Sequence, residues 1–403
     1  MFMTRFALIS TALPPSQSGQ STVLFQILRC INPDKYCLIT QKNFHQYSIK
    51  PKCSTQLTAH YYYLSPDYQF VRLFIGFASL IHSITLLNVA LKMRIRQIKK
   101  IVRNEQCDTI IACTGDLLDP PAAFIVSKDL GIPFILYTFD YYSFHGTDPL
   151  KSAFATSYEP ELVKKAVNVI VPNDCMHREY QKRYGINAVI IHNPLDIKEY
   201  ETLANNSNKQ NNSISPRNSI VYTGAIYDAH YDAFRNLIAA IESSENKNLR
   251  IHLYTPQSLH RLIQHGITGP TVIVHKAQPV SEMPAIQQAA GILFLPLSFD
   301  PQLREFIKTT APGKLGEYLA SKRPILVHAP KDSFISKYFT KYRCGIVVDE
   351  NNPELLAHAL KRLEHDDDLC SEITKNAYER ALIDFDVNTS RKKFLALINK
   401  IEQ

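Results

Sequence analysis

The residues with the most chemistry in their spacing are Lys314 and Glu317, in the stretch Thr309–Ala329, TTAPGKLGEYLASKRPILVHA. Pro312-Gly313 is a turn signal, and a helix beginning just after it places Lys314 and Glu317 on one face of the first turn, while Leu315 and Leu319 face the core. The start of a helix presents free backbone N–H groups and a partial positive charge, which suit a phosphate. A lysine there completes an anion site, and a glutamate one turn on accepts hydrogen bonds from sugar hydroxyls. That combination fits a nucleotide diphosphate lying across the helix mouth. The same spacing is also that of a solvated surface pair on an ordinary helix, and the spacing alone does not separate the two.

The elements that would position this pair alternate along the whole chain. Strand signals at Phe6–Ser10, Tyr36–Thr40, Thr109–Cys113, Pro133–Tyr137, Val167–Val171 and Ala188–Ile191 are separated by helical stretches at Ser21–Cys30, 70–103, Pro121–Asp129, Glu161–Ala166 and Asp174–Tyr184. The segment Lys42–Asp67, with a tyrosine run at Tyr61–Tyr63, reads as irregular. Glu201–Ser219 is polar and without period, which marks a linker. Alternation restarts with strands at Ile220–Thr223, Arg250–Tyr254, Thr271–His275, Gly291–Leu295, Pro324–Val327 and Gly345–Val348, and helices dominate from Ser333 onward. The expectation is an α/β chain with two doubly wound, Rossmann-like domains: residues 1–200, a linker at 201–218, a second domain at 219–385, and a terminal helix at 386–403 that packs back on the first domain. Ligands of such sheets sit beyond the carboxyl ends of the strands, and the cleft between two facing domains is the expected site.

Composition narrows the class. The 403 residues are 45% hydrophobic and 20% charged, with a formal net charge of +8, which describes an ordinary globular chain. Eight cysteines (Cys30, Cys37, Cys53, Cys107, Cys113, Cys175, Cys344, Cys370) show no CxxC spacing and no His/Cys cluster, favouring reduced thiols in a cytoplasmic compartment over a disulfide framework or zinc site. Asp366-Asp367-Asp368 reads as a helix-capping run, not a metal site. The N-terminal apolar run stops at Pro14-Pro15 without a small-x-small cleavage site, so it reads as a first strand and loop. Positive charge is spread without a recognition motif, which disfavours nucleic acid.

Phe74–Leu91 carries no charged residue and is followed by Lys92, Arg94, Arg96, Lys99, Lys100 and Arg103. The length raises the question of a membrane span. His82, Asn88 and several Ser and Thr argue against one, leaving a buried helix with a basic end or a surface lying on an anionic membrane.

Several segments together resemble the GT-B glycosyltransferases, and within them the GT4 family (glycosyl transferases group 1) of retaining, nucleotide-sugar-dependent enzymes. PGKLGEYLASKRPILV (Pro312–Val327) resembles the family's donor-site signature. Val171–Asp196, ending His192-Asn193-Pro194-Leu195-Asp196, is similar to the segment that closes the N-terminal domain. IVYTGAI (Ile220–Ile226) is similar to the first strand and turn of the donor domain, PPSQSGQS (Pro14–Ser21) to the glycine-containing first loop, and IPFILYTFD (Ile132–Asp140) to the central N-domain strand. The likeness covers nearly the whole chain in order. It implies that residues 1–200 form the acceptor-side domain and 219–385 the donor domain. It further implies that Lys314 pairs with the donor diphosphate and Glu317 with the ribose hydroxyls, with Gly19, Gly224, Thr309, Gly313 and Leu315 around the donor. A cation placed beforehand against the leaving diphosphate is the main chemical requirement, and the resemblance implies no metal or other cofactor.

The chain departs from the family pattern in places. Thr309 stands where a glutamate that holds the donor sugar is usual. Ala225 follows Gly224 where an arginine is usual, and Ala229-His230-Tyr231 brings no lysine. Arg304 or Lys308 is a candidate replacement for that charge at the diphosphate, an ordinary surface role being the alternative. Phe139-Asp140 replaces a usual His-Asp; Asp140 is the candidate catalytic contact to the reacting sugars alongside Lys314, or else a strand-end cap, and His145 is a further candidate. The expected activity is transfer of a sugar from a nucleotide-diphosphate sugar to an acceptor hydroxyl with retention, in cell-surface polysaccharide or glycolipid synthesis. The basic helix end and Tyr61–Tyr63 suit a lipid-linked or saccharide acceptor and peripheral contact with the inner face of an anionic membrane. A nucleotide-sugar epimerase, or a catalytically silent domain that binds a partner, are the alternatives; Ala225 and Thr309 keep the second open.

Overall fold

The computed structural model describes residues 5–16, 18–41, 56–65, 80–144, 149–207, 218–276 and 278–399. The chain divides into two compact units, Met1–His192 with Asn388–Gln403, and Asn193–Val387.

The first unit contains β1 (Phe6–Ile9), α1 (Gly19–Leu28), β2 (Tyr36–Gln41), β3 (His60–Leu64), α2 (Leu80–Asn104), β4 (Thr109–Cys113), α3 (Asp119–Leu130), β5 (Phe134–Tyr137), α4 (Pro149–Lys165), β6 (Asn168–Val171), α5 (Asp174–Tyr184) and β7 (Val189–Ile190). Its parallel sheet has the order β3-β2-β1-β4-β5-β6-β7. Strands buried on both faces read as continuous apolar runs, and β1 shows how this works. Ala7 and Ile9 join the core on one face with Ile110 and Ala112. Phe6 and Leu8 join the other with Ile111 and Cys113.

The second unit contains α6 (Ile197–Ser207), β8 (Ser219–Thr223), α7 (Tyr231–Ser243), β9 (Arg250–Tyr254), α8 (Leu259–Gln264), β10 (Val272–His275), α9 (Met283–Gln288), β11 (Ile292–Pro296), α10 (Arg304–Thr309), α11 (Leu315–Ala320), β12 (Ile325–His328), α12 (Phe334–Tyr342), β13 (Ile346–Val348), α13 (Pro353–His365) and α14 (Asp367–Asp384). Its parallel sheet runs β10-β9-β8-β11-β12-β13. The last helix, α15 (Val387–Asn399), counts with the first unit from Asn388. There Phe394 meets Phe6 edge-on at 6.0 Å and Arg391 Nε donates to Gln26 O at 2.8 Å.

In each sheet the first strand lies beside the fourth. The chain winds outward one way, returns, and winds out the other way. The switch points are therefore at the carboxyl ends of β1/β4 and β8/β11, where open α/β sheets bind ligands.

Four expectations change. Tyr61–Tyr63 are not irregular but lie in β3, an edge strand in parallel register with β2; the hydroxyls of Tyr61 and Tyr62 donate to Pro14 O and Glu105, leaving Tyr63 as the exposed one. The segment expected to be linker from Glu201 is helical to Ser207, because Ile197, Tyr200 and Ala204 are spaced to bury one face; residues 208–217 lie outside the described residues. The short helix expected at Glu161–Ala166 is the end of a longer one, α4, which begins at Pro149 and carries Pro160 inside it. The long helix is described from Leu80, residues 70–79 lying outside the described residues. Its face Leu87, Ala90, Leu91, Ile98 and Val102 is buried. Arg94, counted above with the basic end, is also buried and pairs with Asp119, and Lys99 pairs with Asp129 at 2.7 Å. Among the described residues no helix is long and apolar enough to cross a membrane.

Candidate functional site

The switch point of the second sheet assembles from two loops. β8 ends in Tyr222-Thr223 and turns at Gly224, whose φ of +121° suits glycine. Its N–H donates to Tyr254 O at 2.8 Å. The turn after α10 delivers Lys314, at the N-cap position of α11. The Nζ of Lys314 lies 3.7 Å from the centroid of the Tyr222 ring. A Cβ added to Gly224 would sit 3.0 Å from that same Nζ, so the glycine is what lets the ammonium approach the strand end. Tyr222 is fully buried, and its hydroxyl donates to Ala225 O at 2.7 Å, fixing the turn.

Burial pushes the Lys314 ammonium down to about 7, with Glu317 pulling the other way. Glu317 is shifted up by burial, against the hydrogen bond from Gln287 and the charge of Lys314. Gln287 Nε2 donates to Glu317 Oε2 at 2.7 Å. His230, at the N-cap position of α7, faces Tyr222 edge-on at 6.1 Å. Burial, and then the charge of Lys314, hold His230 well below the usual histidine range, so it is a neutral neighbour. The site thus offers one cation, one hydrogen-bonded carboxylate and a neutral imidazole, a set suited to an anion that also carries hydroxyls.

The other residues singled out in the second unit have different surroundings. Gly313 is exposed, while Leu315 belongs to the core at 1% exposure, where its side chain packs and only its backbone is available. Thr309 is buried at the end of α10. Arg304 is exposed and pairs with Asp332 at 3.1 Å. The short helix expected from the sequence, α11, spans Leu315–Ala320 with Lys314 at its N-cap and not inside its first turn, and the N–H of Leu315 is used on Pro312 O at 3.0 Å. The positive charge at this end of α11 therefore rests mainly on the Lys314 side chain.

At the first sheet's switch point, Gly19 opens α1 behind the Ser18 cap, and a Cβ there would meet open space. Gln20, which the sequence reading passed over, ties the strand ends together, donating to Ser10 Oγ at 2.9 Å and to Thr114 O at 3.1 Å. Asp140 is exposed just beyond β5, its N–H 3.5 Å from Thr114 Oγ1. His145 lies outside the described residues. Among the described residues no group of three or more His, Cys, Asp or Glu is placed to hold a metal ion.

Tyr200, Tyr222, His230 and Gln287 are the functional neighbours that sequence reasoning missed. Each is remote in sequence from Lys314 and Glu317; only Tyr222 lies in a segment singled out above, IVYTGAI, and the topology that puts β8 at the centre of the sheet is what brings it to Lys314.

Residues 204–380 match the family described as Glycosyl transferases group 1. No curated protein sequence matches the chain. Among solved structures, a glycosyltransferase from Rickettsia africae superposes with a TM-score of 0.67 at 12% identity, over 100% of this chain and 99% of that one. The HepE protein of Anabaena in complex with UDP gives 0.68 at 13% identity, over 98% and 100%. A sucrose-phosphate synthase from Thermosynechococcus elongatus gives 0.70 at 12% identity, over 99% of both. Residues 204–380 are thus a glycosyl transferases group 1 domain, on a chain with the GT-B fold.

Proposed function

We propose that the protein is a retaining glycosyltransferase that moves a sugar from a nucleotide-diphosphate sugar to an acceptor hydroxyl, without a metal, in cell-surface polysaccharide or glycolipid synthesis. The observation that carries this reading is the approach of the Lys314 ammonium to Gly224 at the end of β8, with the Glu317 carboxylate on the same helix. Lys314 meets the diphosphate and stabilises charge as the sugar–phosphate bond breaks. Glu317 accepts from the ribose hydroxyls. Asp140 contacts the reacting sugars, and the departing phosphate takes the acceptor proton in a same-face displacement.

The exposed face of α2, with Lys92, Arg96, Lys100 and Arg103, is the part we assign to an anionic membrane surface. Met93, 40% exposed, lies between these charges, and Val89, 49% exposed, lies one turn before Lys92, a mixture that suits the headgroup region of a bilayer.

The test is a thermal-shift panel of nucleotide sugars, since a ligand that binds only the folded state raises its stability. It is followed by transfer assays on wild type and Lys314→Ala. Stabilisation by one donor, lost in the variant, supports the reading; equal stabilisation of both proteins removes Lys314 from the donor site. Sugar transfer that needs an acceptor separates a transferase from an epimerase acting on the donor alone.

A further inference from the structure

We propose that Gln287 is a positioning residue for the donor ribose, acting through Glu317; the inference rests on the donor-site reading above.

Gln287 lies near the end of α9 and is fully buried. Its amide makes three contacts. Nε2 donates to Glu317 Oε2 at 2.7 Å and to Thr223 Oγ1 at 3.1 Å, and Oε1 accepts from the Tyr200 hydroxyl at 2.7 Å. These partners come from α11, β8 and α6, so one side chain ties three elements to the carboxylate.

The chemistry of the partners fixes which way the amide points. A buried tyrosine hydroxyl is an obligate proton carrier here, because burial raises the Tyr200 pKa well above its usual value. An ionised carboxylate only accepts. Turning the amide over would set its oxygen against Glu317 and its NH2 against the Tyr200 hydroxyl. The observed orientation satisfies both.

Two consequences follow for Glu317. One carboxylate oxygen is occupied, which holds that end of the group and leaves the other oxygen to a ligand. Burial raises the Glu317 pKa, and the Gln287 hydrogen bond, followed by the charge of Lys314, opposes that rise. A carboxyl group with one oxygen held in place and the other open suits a vicinal diol, the pattern of a ribose. Gln287 therefore governs recognition of the sugar of the nucleotide, without touching the ligand itself.

The experiment measures affinity for the ribo and 2′,3′-dideoxy forms of whichever of UDP, GDP and ADP the wild-type chain binds. It uses wild type, Glu317→Ala, Gln287→Leu and Tyr200→Phe, with thermal midpoints to verify folding. Wild type should prefer the ribo form by about tenfold or more, the scale of a hydrogen bond to a charged group. Gln287→Leu should cut that preference below about threefold by weakening the ribo form alone, with the dideoxy form within about twofold of wild type. A general structural defect would weaken both forms together. Tyr200→Phe, which removes only the far hydroxyl, should lose part of the preference, and it carries the test if Gln287→Leu does not fold. Full ribose preference in a folded Gln287→Leu or, failing that, in Tyr200→Phe overturns the proposal. Full preference in Glu317→Ala would instead overturn the assignment of Glu317 to the ribose, and binding of none of the three nucleotides would overturn the donor-site reading and this inference with it.

Discussion

The Lys314 ammonium sits 3.7 Å from the centroid of the Tyr222 ring, so the cation we assign to the donor diphosphate is backed by a π surface. The same ring is held from behind by Phe234, whose ring meets it edge-on at 5.0 Å. An ammonium over a desolvated ring is stabilised by about 2 kcal/mol. That attraction only partly offsets the loss of hydration, and the result is a lysine that titrates at about 7. A buried strand end has been used to make a cation whose charge depends on what binds to it.

The first prediction concerns pH. Burial lowers the pKa of Lys314, so the free protein loses this charge as pH rises through about 7. A bound diphosphate favours the charged form, so binding above pH 7 must take up a proton. Affinity for a nucleotide sugar, whose diphosphate does not titrate in this range, should fall about tenfold per pH unit above 7. Calorimetry from pH 6 to 9, in buffers of different ionisation enthalpy, checks both the slope and the proton uptake. Lys314→Met should abolish both. A flat profile with no proton uptake in wild type would mean that the lysine is charged before the ligand arrives.

Gly224→Ala is the second. The position has φ of +121°, and the added methyl would press on Lys314 Nζ and Cε, at 3.0 and 3.2 Å. Backbone strain of this kind costs about 1–3 kcal/mol, readable as a lowered denaturation midpoint. Because the methyl displaces the ammonium, donor affinity should fall about tenfold or more beyond any change in stability, the scale of a lost charge-assisted contact. An alanine variant with lowered stability and unchanged affinity would show that Lys314 moves aside freely.

These two residues also show what could be read from the chain in advance. Lys314 and Glu317 share one short helix, and Gly224 ends one apolar strand, so local spacing carries them. The parallel strands were legible for the same reason: burial on both faces writes a strand as an unbroken apolar run. Gln287 and Tyr200 were not legible, because their relation to Glu317 exists only after α6, α9 and α11 pack around β8, and the Tyr200–Gln287 contact spans 87 residues. Composition also misled at α6, where an Asn-rich sequence masks three apolar residues on one face. It misled again at β3, where a segment read as irregular is an edge strand in parallel register with β2.

A third prediction separates two arginines of one helix. Arg94 and Asp119 are 2% and 0% exposed and form an ion pair. Removing one member of such a pair leaves a buried charge without compensation, which costs about 3–5 kcal/mol. Arg94→Ala should lower stability by that amount in chemical denaturation, whereas Arg96→Ala, on the exposed face, should stay within about 0.5 kcal/mol of wild type. Replacing both Arg94 and Asp119 by apolar residues of similar size should recover much of the loss. A small effect for Arg94→Ala would mean that water reaches Asp119.

The same helix supplies the fourth prediction. Lys92, Arg96, Lys100 and Arg103 are exposed without an acidic partner among the described residues, and α2 itself contains no Asp or Glu. Each basic side chain near an anionic surface contributes about 1 kcal/mol, so reversing three of them to Glu should weaken binding to vesicles of phosphatidylglycerol in phosphatidylcholine by about 100-fold or more. Wild-type binding should also weaken with added salt, as screening shortens the reach of these charges. Since the three side chains are exposed, the thermal midpoint of the Lys92→Glu, Arg96→Glu, Lys100→Glu variant should stay close to wild type. Arg94 makes the internal control: its substitution destabilises the fold without removing charge from the surface. Co-sedimentation of the wild type and the triple variant to the same extent would show that this face does not meet the membrane.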